Sequence, residues 1–224
     1  MTVTPDLDGL LDAALIHVPF DGWTQTTFDA AVADLKLDRE AARSLAPRGP
    51  VDLAIAYHRR GDRAMVDRMK ATDLDVLRYS DRVSAALKFR IEAMTVREAV
   101  RRATTLFSLP NHAPDGAKLI WETADHIWTA LGDTSEDGNW YSKRATLSAV
   151  WASVVLFWLG DDSPDYSKTH DFIERRIENV MQIEKVKGQL RQNPLTKPLM
   201  DLQSSFMGRM RAPKPVKDVP GMPT

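Results

Sequence analysis

Histidines and carboxylates are the side chains of this sequence that could carry acid–base chemistry or hold a metal ion. None of the histidines follows a glutamate by three residues, so the Glu-x-x-His pattern of helical di-iron sites is absent. Glu122 and His126 lie four residues apart on one predicted helix face, where a hydrogen-bonded or solvated pair is the simpler interpretation. The five histidines are His17, His58, His112, His126 and His170. Their spacing gives no reason to predict catalysis.

Other catalytic motifs are also missing from the 224 residues. Because the sequence contains no cysteine, thiol nucleophiles, disulfides and zinc–thiolate sites are excluded. It has no phosphate-binding loop, dinucleotide-binding glycine pattern, HExxH zinc motif or GxSxG nucleophile motif. We therefore predict a protein that is not an enzyme and uses neither a cofactor nor a metal ion. A cryptic hydrolase or oxygenase remains an alternative that a tightly bound metal ion would reveal.

Tryptophans are concentrated in one stretch of the chain. Trp121 and Trp128 are seven residues apart, as are Trp151 and Trp158, so each pair lies on one helix face. The second pair belongs to residues 149–159, which are apolar apart from one serine. Such a helix is either a buried core helix, or one of its sides lines a lipid or prenyl cavity or a dimer interface. The candidate lipid-binding residues are Trp121, Ile127, Trp128, Trp151, Val154, Val155 and Trp158.

The end of the chain combines positive charge with an apolar stripe. Residues 185–224 contain 8 basic and 2 acidic side chains, whereas residues 115–184 contain 6 basic and 13 acidic ones. Five apolar residues of this tail recur at helical spacing within an arc of about 80°. Such a helix docks on its own domain, pairs with a partner, or lies on an anionic bilayer. With two flanking arginines, the candidate membrane-binding residues are Leu195, Leu199, Leu202, Phe206, Met210, Arg209 and Arg211.

A polar turn carries two large aromatic residues directly before the apolar helix. Gly138 and Asn139 suit the turn, and Trp140 and Tyr141 follow them. Because adjacent rings at a helix start point in different directions, we expect at least one of them to be exposed. Exposed tryptophan and tyrosine beside an arginine, here Arg144, are typical of hot spots in protein interfaces.

Apolar residues recur with helical spacing along nearly the whole chain, which predicts an all-α protein. No run alternates with a period of two for long enough to predict a sheet. Thr95 with Glu98, and separately Asp115, have the residue types and positions expected of helix N-terminal caps.

The first residues have the rhythm of a helix-turn-helix motif, with residues 38–45 in the place of the recognition helix. In that segment the positive charges of Arg39 and Arg43 are balanced by the negative charges of two carboxylates. The whole chain has a net charge of −1. DNA recognition requires cations for the phosphates and polar side chains for the base edges. We therefore predict that the protein binds no nucleic acid, and keep a ligand-responsive transcription regulator as the alternative.

Five segments of the sequence are distinctive. They are residues 17–24 (HVPFDGWT), 109–114 (LPNHAP), 132–145 (GDTSEDGNWYSKRA), 161–165 (DDSPD) and 172–177 (FIERRI). Together they resemble the coenzyme Q (ubiquinone) biosynthesis accessory protein family, lipid-binding proteins that partner the di-iron demethoxyubiquinone hydroxylase. The resemblance covers about residues 7–185.

This resemblance implies a TetR-like domain of about nine to ten helices, with a vestigial helix-turn-helix and a C-terminal amphipathic helix. It also implies a homodimer or higher assembly whose hydrophobic pocket binds isoprenoid quinone intermediates. The protein would hand these intermediates to the hydroxylase or an equivalent enzyme. Within the family's partner-binding patch, the matching residues are Asp137, Trp140, Tyr141 and Arg144. Asp125 and Ile127 lie where a neighbouring helix contributes to that patch.

Three regions follow from these observations. Residues 1–55 form the vestigial helix-turn-helix region, residues 56–190 the helical lipid-binding and dimerisation core, and residues 191–224 the basic membrane-associating tail. The first residues are acidic and have no apolar run typical of a signal peptide. We expect a cytoplasmic protein that associates peripherally with the inner membrane.

Overall fold

The computed structural model describes residues 6–135 and 138–192, with side chains described up to residue 183. Within these ranges the chain forms nine α-helices and no β-strand, which confirms the predicted all-α class. The helices are α1 (Leu7–Asp21), α2 (Gln25–Asp34), α3 (Arg39–Leu45), α4 (Pro50–Ala71), α5 (Tyr79–Glu92), α6 (Arg97–Ser108), α7 (Ala113–Ala130), α8 (Gly138–Leu159) and α9 (Ser167–Gln192). A short 3₁₀ turn at Pro164–Tyr166 precedes α9.

The first three helices have the predicted helix-turn-helix order, and local side chains fix their ends. Gly22 ends α1 with a φ of 69°, a left-handed conformation that glycine adopts without strain. The hydroxyl of Thr24 caps α2 by accepting from the amide of Thr27. The carboxylate of Asp38 caps α3 by accepting from two amides of its first turn.

Helix α4 joins the N-terminal helices to the rest of the protein. It runs without a break through residue 55, where the sequence places the end of the first region. Leu10 and Phe28 from the first helices belong to the same buried core as Trp151 and Ile173 from α8 and α9. The helix-turn-helix region is therefore packed onto the later helices through one continuous apolar core.

Helix α8 lies among α5, α7 and α9 and contains the two largest fully buried side chains of the described residues, Trp151 and Trp158. Trp151, Val154 and Trp158 are at most 1% exposed, whereas Leu156 on the same helix is 62% exposed. Because a tryptophan buries roughly 150–250 Å² of surface, these indoles make a large contribution to the hydrophobic stabilisation of the core. None of the helices in the described ranges has the length and apolar character that crossing a bilayer requires.

Two predicted helix caps are wrong. Helix α6 follows Val96 and receives no side-chain cap, because the carboxylate of Glu98 instead pairs with two arginines one turn later. Helix α7 begins at Ala113, with Pro114 in its first turn, where a proline's fixed φ suits a helix start. Asp115 therefore lies inside the helix, and its carboxylate pairs with Arg48 at 2.9 Å.

A buried ion pair links α4 to α5. The Nε of Arg90 donates to Oδ1 of Asp62 at 2.6 Å, and each residue is 1% exposed. The same guanidinium donates to the carbonyl oxygen of His58 at 2.9 Å. Gly61 makes this approach possible, since a Cβ at this position would lie 2.6 Å from Cζ of Arg90.

Gly61→Ala should destabilise the protein by about 3–5 kcal/mol, because displacing Arg90 leaves the charge of Asp62 buried without its partner. Urea denaturation followed by circular dichroism measures the loss. Gly160→Ala is the control, since a Cβ at Gly160 meets only an ordinary contact at 3.6 Å. Equal stability of the two variants would contradict the proposed role of Gly61.

Candidate functional site

An apolar cavity of about 380 Å³ lies between α4, α6, α7 and α8. Phe107 of α6, Ile120 of α7, and Trp151 and Val155 of α8 contribute apolar walls, and His58 of α4 is a polar residue at its edge. Among the described residues that line it, none is an aspartate, glutamate, lysine or arginine. Its volume falls within the range of about 300–1,000 Å³ that is typical of ligand pockets. We call it the Trp151 cavity.

A second cavity, of about 220 Å³, lies between α5, α7, α8 and α9. Trp128 lines it and stacks on Tyr79, with ring centroids 5.9 Å apart. Lys143 stands at its edge, 5.6 Å from the centre of the Trp128 ring, and its ammonium group is paired with Asp133. We call it the Trp128 cavity.

The two cavities lie on opposite faces of α8. Leu147 and Val150 face the Trp128 cavity, whereas Trp151, Ala152 and Val155 face the Trp151 cavity. At about 100° per residue, the residues of α8 that line the two cavities point in nearly opposite directions. Helix α8 is thus the wall that both cavities share.

The structure divides the predicted lipid-binding residues into three groups. Trp151 and Val155 line the Trp151 cavity, and Trp128 lines the Trp128 cavity. Ile127, Val154 and Trp158 are fully buried in the packed core and line neither of these two cavities. Trp121 also lines neither and packs beside the turn between α7 and α8, as described next.

An aromatic cluster forms where α7 and α8 meet. The ring of Trp140 lies 4.8 Å from that of Tyr141 and 5.9 Å from that of Trp121. Trp140 and Tyr141 are both half-buried. Neither residue is buried in the core, and both are less exposed than the sequence predicts, because the adjacent rings pack on each other and on Trp121.

Arg144 links the residues of this junction through ion pairs and a contact with the Trp140 ring. Its guanidinium donates to Asp125 at 2.6 Å and to Asp133 at 3.1 Å, and lies 4.0 Å from the centre of the Trp140 ring. Because its side chain is only 3% exposed, Arg144 can act on a partner only through the residues it positions. Asp137, the remaining predicted partner-binding residue, lies outside the described residues.

The predicted membrane-binding residues all lie beyond the described part of the chain. They are Leu195, Leu199, Leu202, Phe206, Met210, Arg209 and Arg211. The role of the tail therefore stays a prediction from the sequence.

A polar cluster that the sequence did not predict is centred on Asp62, next to the Trp151 cavity. Thr123 of α7 donates to Oδ1 of Asp62 at 2.9 Å, and Nε2 of His58 lies 2.9 Å from the Thr123 hydroxyl. A nitrogen of His58 and one of His126 each lie 3.6 Å from Oδ2 of Asp62. The guanidinium of Arg90, the fifth member, lies 5.2 Å from the ring centre of Trp151, which connects the cluster to the cavity wall.

One sequence signal could have pointed to this cluster. Asp62 has the helical spacing of the apolar residues Ile55, Met65 and Met69, and Arg90 lies in an apolar helix face. Charged residues at such positions need buried partners. Which carboxylate meets which arginine depends on the packing of α4 against α5, which the spacing does not give.

The cluster changes the proton affinities of its members. Burial lowers the pKa of His58 to about 4, the charge of Arg90 adds to this effect, and the charge of Asp62 only partly offsets it. Burial would raise the pKa of Asp62, but the contacts with His126 and Arg90 outweigh it and lower the pKa to about 2. Contact with Asp62 raises the pKa of His126. At neutral pH the side chain that reaches the Trp151 cavity, His58, is therefore uncharged.

Comparison with known proteins connects this arrangement to a family. The model of the COQ9 family matches residues 113–184, which include α7, the aromatic junction and α8. The resemblance to the COQ9 family is confirmed. "Ubiquinone biosynthesis protein COQ9, mitochondrial" of Homo sapiens is 29% identical over 182 residues, which are 77% of this chain and 56% of that protein. The "Probable ubiquinone biosynthesis protein coq9, mitochondrial" of Dictyostelium discoideum is 25% identical over 190 residues, 81% of this chain and 61% of that protein.

The COQ9 relatives are longer than the part that this chain matches, since the chain spans just over half of the human protein. Among solved structures, the TetR transcriptional regulator of Nitrosomonas europaea superposes with a TM-score of 0.64 at 18% identity. The superposition covers 77% of this chain and 95% of the regulator. It confirms the predicted TetR-like fold of a chain whose sequence is similar to COQ9.

Acidification should destabilise the protein between pH 6.5 and pH 4. In this window the histidine of the unfolded chain binds a proton, whereas His58 in the folded protein does not. The free energy of unfolding therefore decreases as the pH is lowered, by roughly 3 kcal/mol at most. His126, whose folded pKa is raised, stabilises fully throughout this window, and Asp62 loses its contribution only below its ordinary pKa of 3.8. Urea midpoints measured between pH 7 and pH 4 give the slope.

His58→Gln should flatten this slope, because glutamine stays uncharged across the window. His112→Gln, which changes a half-buried histidine outside the cluster, is the matched control and should keep it. An unchanged slope in His58→Gln would contradict the assignment.

Proposed function

We propose that this protein is a non-catalytic accessory protein of ubiquinone biosynthesis that binds isoprenoid quinone intermediates and presents them to a hydroxylase. The observation that carries the proposal is the Trp151 cavity, whose walls include Trp151 and Val155, two of the residues predicted to bind lipid. The relatives named for ubiquinone biosynthesis supply the pathway.

The physical reason for such a protein is the insolubility of its ligand. Moving a polyprenyl chain from a bilayer into water exposes apolar surface, at a cost of roughly 25 cal/mol per Å². An apolar cavity offsets part of that cost while the ligand travels to an enzyme. Helix α8 suits this role because one of its faces is packed in the core and another borders the cavity.

The aromatic cluster of Trp121, Trp140 and Tyr141 is the surface that we assign to the hydroxylase. Arg144, which packs against the Trp140 ring, is held in place by ion pairs with two carboxylates. Half-buried aromatic rings next to a buried, hydrogen-bonded arginine resemble the central residues of protein interfaces. We assign the attachment to a membrane surface to the basic tail, residues 191–224, and the homodimer to the core.

A DNA-binding regulator is the less favoured function, although the fold is shared with one. Arg39 of α3 is paired with Asp29 at 2.8 Å. Arg43 donates to Gln25 at 2.8 Å and lies 4.8 Å from the centre of the Phe28 ring. Both arginines of the expected recognition helix are thus engaged within their own domain, whereas DNA binding requires them for phosphates and bases.

Ala152→Phe should reduce the lipid that co-purifies with the protein at least several-fold, because the new ring fills the Trp151 cavity. Mass spectrometry of extracted lipid, per mole of protein, measures the change. Ala149→Phe is the matched control, since Ala149 lies on the same helix but is exposed and lines neither cavity. Equal lipid content in the two variants would count against the Trp151 cavity as the binding site.

Trp140→Ala should weaken capture of the demethoxyubiquinone hydroxylase by about thirtyfold or more, since truncated hot-spot residues typically cost at least 2 kcal/mol. Co-purification of the two proteins measures it, with circular dichroism to verify the fold. Tyr79→Ala, which removes an aromatic ring at the Trp128 cavity rather than at the cluster, should leave capture unchanged. Loss of capture in both variants would contradict the assignment of the surface.

A further inference from the structure

A small polar pocket lies between α4, the end of α5 and the start of α6. Its volume is about 80 Å³, well below the roughly 300–1,000 Å³ of typical ligand pockets, so it admits only a small molecule or ion. Among the described residues that line it are two arginines, Arg60 and Arg90, and no aspartate or glutamate. We call it the Arg90 pocket.

One nitrogen of Arg90 is available to a ligand in this pocket. The Nε donates to Asp62 and Nη2 donates to the carbonyl oxygen of His58, whereas Nη1 has no hydrogen-bond partner among the described residues. Nη1 lies directly over Gly61, which lines the same pocket. Because the protein supplies no acceptor for the two N–H groups of Nη1, an oxygen atom that enters the pocket would satisfy them.

The pocket opens to the protein surface. Ala64 of α4 and Thr95, which precedes α6, are exposed residues of its lining, and Arg60 of α4 is half-buried. Within the described chain, the guanidinium of Arg60 donates only to Asp12, whose side chain is 67% exposed. A ligand can therefore reach the pocket from solvent and find further free N–H groups on Arg60.

The charges around the pocket favour an anion. Burial raises the pKa of Tyr57, which lines the pocket, whereas a backbone hydrogen bond and the positive charges of Arg90 and Arg60 lower it. Both arginines thus act on the same wall. The carboxylates that pair with them, Asp62 and Asp12, are not part of the lining. Two like charges that border one small space repel each other, and an anion between them relieves that repulsion.

From these observations we propose that the Arg90 pocket binds a phosphate-sized oxyanion, held between Nη1 of Arg90 and the guanidinium of Arg60. Guanidinium groups bind phosphate oxygens through short, charge-assisted hydrogen bonds. Four residues of the lining, including His58 and Met94, also line the Trp151 cavity. A free phosphate ion and the phosphate group of a longer molecule therefore share the chemistry that this site recognises.

Isothermal titration calorimetry of the full chain with inorganic phosphate at pH 7.5 tests the proposal, with sodium chloride of the same ionic strength for comparison. We expect the wild-type protein to bind one phosphate per chain and to give no heat of binding with chloride. Arg60→Gln should weaken phosphate binding at least tenfold, because a hydrogen bond between charged groups is lost. Ala64→Leu should weaken it similarly, since the larger side chain covers the opening of the pocket.

Arg63→Gln is the matched control. Arg63 lies on the same helix and is also paired with a carboxylate, that of Asp8 at 3.3 Å, but it is exposed and does not line the pocket. Phosphate binding should therefore persist in this variant. Circular dichroism verifies that the three variants fold.

The outcomes distinguish a specific site from a general attraction of anions. No phosphate binding by the wild-type protein, or binding that is unchanged in Arg60→Gln or in Ala64→Leu, would overturn the proposal. Equal weakening in Arg60→Gln and Arg63→Gln would also overturn it, because it would show an adventitious ion only.

Hexyl phosphate in place of inorganic phosphate identifies the source of the oxyanion. Binding at least tenfold tighter than that of phosphate would support the same site with a lipid head group as its ligand, whereas equal or weaker binding would support a free ion. The inference does not rest on the proposed lipid-binding function, which the titrations with inorganic phosphate do not test.

Discussion

The buried ion pair between Asp62 and Arg90 is the constraint that sets the position of the helices around the Trp151 cavity. Taking two charges out of water has a large desolvation cost, so such a pair specifies an arrangement more reliably than it adds stability. Here Arg90 anchors α5 to α4, and the hydroxyl of Thr123 brings α7 to the same carboxylate. Trp151 then packs over the guanidinium, which places α8 at the far side of the cavity.

Much of this architecture is predictable from the sequence, because helical spacing of apolar residues depends only on neighbours along the chain. The all-α class, the helix-turn-helix order and the apolar helix that became α8 are examples. The predicted helix caps at Thr95 and Asp115 were wrong because other residues compete for the same side chains. Arg48, which is distant in sequence, binds the carboxylate of Asp115. The pairing of Asp62 with Arg90 was beyond prediction, because it depends on how two separate helices pack.

In the candidate site, too, residue spacing predicts which side chains share a helix face, but the packing of the helices decides what those side chains contact. Spacing places Trp121 and Trp128 on one face of α7, and this suggests a common role. In the structure Trp128 borders a cavity whereas Trp121 joins Trp140 at the junction with α8, because the face of α7 meets different neighbours along its length. Burial of Arg144 likewise follows from two carboxylates, Asp125 and Asp133, on separate segments.

The position of α8 between two cavities also has a mechanical consequence. Leu147 and Val150 point to one chamber and Trp151 and Val155 to the other, so any sideways shift of the helix widens one chamber by narrowing its neighbour. Close-packed interiors leave little slack to absorb such a shift elsewhere. A ligand that widened one of these two cavities would therefore narrow the other.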